Sequence, residues 1–168
     1  MKVEWDLRVH GTAAPVGPHS AEDQAPLHHL TLCVVSDTHG FHGTTRCPLA
    51  DVLIHCGDFS QRGREKDEER LDTWLASQPH AIKLVLRGNH DSPRRGGIRK
   101  LAQSGAALVG NAHRLFKVAG VSFLVVPWKR EHLDQQLPRP SFPEADVVLS
   151  HVPPFGILDR SHRGENVG

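Results

Sequence analysis

Four short motifs hold the residues able to do chemistry: Asp37-Thr38-His39, Gly57-Asp58, Gly88-Asn89-His90-Asp91 and Ser150-His151. Between them they offer three aspartates, an asparagine and three histidines. Carboxylate, amide and imidazole donors in that mixture suit a pair of hard or borderline divalent ions. Such a pair polarises an oxygen held between its members and turns a water into hydroxide near neutral pH, which is hydrolytic chemistry. Taken singly, each motif has a plainer reading. Asp37 and Asp58 suit turns or helix caps, Gly88-Asn89 an ordinary turn, and His151 a surface position before prolines. Four motifs in this order favour the metal site.

The segments before the motifs show how such residues meet. Each motif directly follows an apolar, β-branched run, at residues 30–35, 52–56, 82–86 and 147–149, that reads as a buried strand. A parallel sheet delivers the carboxyl ends of its strands to one rim, so residues remote in sequence share a crevice. After the second motif, residues 65–78 place Leu71, Trp74 and Leu75 at helical spacing behind an acidic first turn, and Pro79 ends the helix. Residues 97–104 read as a short helix and 107–109 as a short strand. Residues 113–118 and 121–126 flank Ala119-Gly120 as a β-hairpin. Residues 128–144 form a loop over the rim, and residues 1–28 read as a flexible extension without sustained periodicity.

The motif series resembles that of the calcineurin-like metallophosphoesterase superfamily: D-x-H, G-D, G-N-H-[DE], then H, then G-H-x-H. Val35-Ser36-Asp37-Thr38-His39-Gly40, the stretch from Leu53 to Ser60, and Ser150-His151-Val152-Pro153-Pro154 are similar to its metallophosphoesterase-domain-containing (MPPED-like) branch. The likeness covers roughly residues 29–168. It implies an α/β fold, a four-layer α/β/β/α sandwich of two mixed β-sheets. Because the chain stops at Gly168 before any G-H-x-H, that domain is expected without its C-terminal part.

By the same resemblance, Asp37, His39 and Asp58 hold one divalent ion and Asp58, Asn89 and His151 a second, with Asp58 as the bridge. The ions implied are Mn, Fe or Zn. His90 is implied as the catalytic residue over the phosphorus, donating a proton to the leaving oxygen. Asn89 and His90 are expected to bind the substrate; Arg62 is expected to join them from its place four residues after Asp58, and it and Arg87, just before Gly88, each lie close enough in sequence to reach a phosphate oxygen. Some branches carry an aspartate that orients the catalytic histidine, and Gln61 stands at that place here. Asp91 or a backbone carbonyl would then replace it. His55 is expected to support the site or pack within its strand.

The implied activity is metal-dependent hydrolysis of a small phosphomonoester or phosphodiester, such as a nucleotide, by a metal-activated hydroxide. The alternative is a catalytically impaired nucleotide- or metal-binding protein, because the last ligand motif is absent. Composition fits one domain of 168 residues, 38% hydrophobic. A net charge of +1 with interspersed signs marks neither a nucleic-acid nor a membrane binder. Three cysteines, Cys33, Cys47 and Cys56, make no disulfide framework and fit a reducing compartment. No apolar stretch approaches the roughly 18 residues of a membrane span. The N-terminus lacks the pattern of a signal peptide, so a cytoplasmic protein is expected.

Overall fold

The computed structural model describes residues 30–91, 101–109, 114–128, 143–154, 156–161, 163–164 and 166. The expected extension at 1–28, the first part of the 97–104 helix and most of the 128–144 loop lie outside them. Strands β1 (Leu32–Val35), β2 (Val52–His55), β3 (Ile82–Val85) and β4 (Ala107–Leu108) form one parallel sheet in that order. A second sheet has the order β5 (Arg114–Val118), β6 (Val121–Val126), β7 (Val147–Ser150). There β5 and β6 pair antiparallel, and β6 and β7 parallel.

Strand β2 is buried at all four positions, as expected for a central parallel strand covered on both faces. Its side chains alternate. Val52 and Ile54 enter the core between the sheets with Ile82, Leu84, Phe123, Val125 and Leu149, while Leu53 turns to the opposite face. On that face Leu53, Val85 and Phe59 pack against Leu71, Trp74 and Leu75 of helix α1 (Glu65–Ala76). The helix has Glu65, Asp67 and Glu68 in its first turn, where the dipole favours them, and Pro79 follows its end.

The hairpin closes at Ala119 and Gly120, whose φ values are 50° and 79°. Two positive φ angles in a two-residue loop match the right-handed twist of the flanking strands. The described residues thus give a helix layer and two stacked sheets, three of the four expected layers. On the outer face of the second sheet, Leu115 and Val148 are exposed and lie either side of Leu124 in register. Among the described residues no helix is long and apolar enough to cross a membrane. Residues 102–104 form a turn, closed by the Gly105 N–H donating to Leu101 O at 3.1 Å.

Candidate metal centre

The first motif leaves β1 yet stays laced to the chain that leaves β2. The N–H groups of Asp37, His39 and Gly40 donate to the carbonyls of Gly57, Asp58 and Phe59 at 3.0, 2.9 and 2.7 Å. The two aspartates are therefore delivered side by side. Asp37, His39 and Asp58 all adopt left-handed backbone, with φ of 55°, 45° and 53°. Residues with a Cβ seldom do so, and their clustering here marks a site where position is held against local preference.

His55 secures this turn from below. It is fully buried, its Nδ1 accepts the Gly57 N–H at 3.3 Å, and its Nε2 therefore donates to the Thr38 hydroxyl at 2.9 Å. Burial pushes its pKa down to about 3, so the ring stays neutral. His55 thus both packs within β2 and braces the chain at Thr38 and Gly57. Asp91, also fully buried, ties the second and third motifs together. Its carboxylate accepts from the N–H groups of Phe59, Ser60 and Gly88 at 3.3, 2.9 and 2.9 Å.

Three imidazoles then converge on one carboxylate. His39, His90 and His151 each direct Nδ1 at a main-chain carbonyl, of Ser60 (3.1 Å), Gln61 (2.9 Å) and Cys56 (3.0 Å) respectively. A carbonyl only accepts, so each Nδ1 carries the hydrogen, and in a neutral ring Nε2 presents a lone pair. Those lone pairs face acceptors. His39 Nε2 and His90 Nε2 each lie 3.9 Å from Asp58 Oδ2, and His151 Nε2 lies 3.5 Å from Asp58 Oδ1. Donor atoms sharing a tetrahedral ion at about 2.1 Å stand roughly 3.4 Å apart. Acceptors facing acceptors at this spacing fit divalent cations, with His39, Asp58 and His151 among the residues that would hold them.

The donor atoms fall into two groups, each within 4.8 Å: His39, Asp58 and His90, and Asp37, Asp58 and His151. Asp58 belongs to both, through different oxygens. Asn89 lies beside the second group, its Oδ1 3.0 Å from His151 Nε2. The grouping differs from the expected one, in which Asp37 accompanied His39 and His90 stood apart. The cause is the His90 N–H, which donates to Asp58 Oδ1 at 2.8 Å and seats the short 3-10 turn Asn89–Asp91 against that carboxylate. The His90 and His39 rings then meet edge to face, centroids 4.8 Å apart. Two glycines make the close approach possible. A Cβ on Gly88 would collide with the Asp58 carboxylate and the His151 ring, and one on Gly57 would stand 2.7 Å from His151 Nδ1.

Access is one-sided. The His90 and His39 side chains are 45% and 35% exposed, those of His151 and Asp58 only 6% and 5%, so the site opens to solvent on the side of His39 and His90. Gln61, standing where some branches have an orienting aspartate, serves His90 through its carbonyl; Asp91 does not take that part. Arg62 is exposed on the same loop, with no hydrogen bond or ion pair among the described residues. Arg87 is a correction: its guanidinium is held 2.6 Å from Glu68 and 2.9 Å from the Asp91 carbonyl, so it is not aimed at a phosphate. The Cys56 thiol is pushed up to about 11 by burial and by the charge of Asp37. Its carbonyl, which no sequence motif signals, is what serves the site.

The model of the calcineurin-like phosphoesterase family matches residues 30–167. The chain belongs to that family. Among its relatives, human metallophosphoesterase domain-containing protein 1 is 38% identical over 74 residues, covering 44% of this chain and 22% of that protein. A UPF0046 protein of Caenorhabditis elegans is 28% identical over 160 residues, covering 79% of the chain and 54% of the relative. The chain therefore spans only part of the length of the curated relatives it matches. Among solved structures, phosphopantetheinyl hydrolase from Mycobacterium tuberculosis is 20% identical, with a TM-score of 0.38 over 58% of this chain and 41% of that one.

Proposed function

We propose that residues 29–168 act as a phosphoesterase domain with a dinuclear site, cleaving a small phosphomonoester or phosphodiester such as a nucleotide. The observation that carries this reading is the convergence of three imidazole lone pairs on the two oxygens of Asp58. Asp37, His39, Asp58, Asn89 and His151 are the proposed ligands. Divalent cations bound there supply charge neutralisation at the phosphoryl oxygens and lower the pKa of the attacking water.

The remaining chemistry belongs to side chains. Asp58 lies deepest and holds the two donor groups in one frame. His90 keeps Nδ1–H on the Gln61 carbonyl, so Nε2 is the atom that takes up a proton, making the ring an imidazolium, and then passes it to the departing oxygen, returning the ring to neutral. Arg62, exposed beside the site, attracts the substrate anion. The test is hydrolysis of 4-nitrophenyl phosphate and of a bis-aryl diester with Mn²⁺ or Zn²⁺. Turnover should require metal and disappear in Asp58→Asn. Equal turnover in Asp58→Asn and His90→Ala would overturn the proposal.

A second reading, a metal- or nucleotide-binding protein without turnover, draws on the donor count. Among the described residues each group comprises three titratable side chains, fewer than the four protein ligands of a closed tetrahedral site. It predicts thermal stabilisation by Mn²⁺ or a nucleotide with no product formed.

A further inference from the structure

Helix α1 touches the third motif through one ion pair. Glu68 is 2% exposed, and a buried carboxylate needs a compensating charge. Arg87 supplies it, with Nη1 2.6 Å from Glu68 Oε1. The same Nη1 donates to the carbonyl of Asp91 at 2.9 Å. Asp91 is the last residue of the turn that presents Asn89 and His90, and Arg87 immediately precedes that turn. Neither Glu68 nor Arg87 enters the donor groups. The second oxygen, Oε2, is buried with no hydrogen-bond partner among the described residues, so the carboxylate is oriented by the contact that Oε1 makes with Arg87.

We infer that Glu68 and Arg87 are positioning residues that clamp the Asn89–Asp91 turn against Asp58, and that this clamp sets metal affinity. The second half rests on the proposed metal site; the first does not. Removing the clamp frees the turn at both the Asp91 carbonyl and the chain entering Gly88. The His90 N–H then loses its hold on Asp58.

The test uses the full chain without metal and follows amide hydrogen exchange in Arg87→Met, Arg87→Lys and Glu68→Gln. In Arg87→Met the His90 amide should exchange about tenfold faster while Leu53 and Ile54 in β2 keep their protection, the mark of local opening. Lysine can donate to both acceptors, so Arg87→Lys should restore most of the protection. Mn²⁺ affinity should fall about tenfold in Arg87→Met and recover with lysine. Unchanged His90 exchange, a uniform rise at every amide, or failure of lysine to rescue would overturn the inference. Should Arg87→Met not fold, Glu68→Gln decides: local loss at His90 supports the clamp, and unchanged exchange at His90 overturns it. If the wild-type chain binds no Mn²⁺, the metal reading falls and the exchange measurement still judges the clamp.

Discussion

Asp58 and His151 face each other across the seam between the two sheets, Oδ1 3.5 Å from Nε2. One follows β2 at the centre of the first sheet and the other ends on β7 of the second. The site therefore forms only when the sheets are stacked in their native register, and the core between them, centred on Ile54, Phe123 and Val125, is also the scaffold of the chemistry.

This seam leaves no room for a methyl group at Gly88, whose Cβ would stand 2.6 Å from His151 Nε2. Gly88→Ala should destabilise the chain by about 1–3 kcal/mol through overpacking and weaken Mn²⁺ binding by about tenfold or more. Gly43→Ala, with open space around its Cβ, is the control. Denaturant titration and calorimetry read both. Wild-type affinity in Gly88→Ala would contradict the packing described.

Acid should loosen the first motif before it unfolds the rest. His55 is neutral in the folded chain at a pKa of about 3, against 6.5 for the model imidazole, through burial first and the neighbouring His42 second. His42 is lowered too, again chiefly by burial. Both contribute stability that is complete above pH 6.5 and is lost as pH falls toward the folded value. His55 alone removes about 2 kcal/mol between pH 6.5 and 5. Urea midpoints at pH 7.5 and 5 measure this, and equal midpoints would contradict it.

Cys56 should resist alkylation. With its pKa raised to about 11 from 9.0, its thiolate at pH 8 is about 100-fold scarcer than that of an unperturbed thiol. Mass spectrometry after timed iodoacetamide exposure of the native chain reads the modification. Modification of Cys56 at the rate of a free thiol would contradict the burial described.

His90→Ala should separate binding from turnover. Its ring is the most exposed of the three imidazoles near Asp58, and its main-chain N–H, which holds the turn to Asp58, survives the substitution. The variant should keep its fold, lower kcat by about 10²–10⁴ and change KM little. Loss of both kcat and fold would make His90 structural instead.

Much of this was legible from residue types. Apolar runs ending in Asp37, Asp58, Asn89 and His151 gave the strands and the rim, because a central parallel strand must be apolar on both faces. Strand limits moved by a residue or two. Thr31, read as part of the first strand, instead spends its N–H on the Asp51 carboxylate at 2.8 Å. The hydrogen bonds that aim the imidazoles were not legible. They come from the carbonyls of Ser60, Gln61 and Cys56, and any residue type supplies a carbonyl. Likewise, Arg87 reads as a free cation until the fold brings Glu68, 19 positions away, against it.

The most direct test is the metal content of the purified chain, by elemental analysis and Mn²⁺ calorimetry, beside Asp58→Asn. Two ions per chain are expected in the wild type and loss of both in the variant, because Asp58 belongs to both donor groups. No bound metal, or binding unchanged by Asp58→Asn, would contradict it.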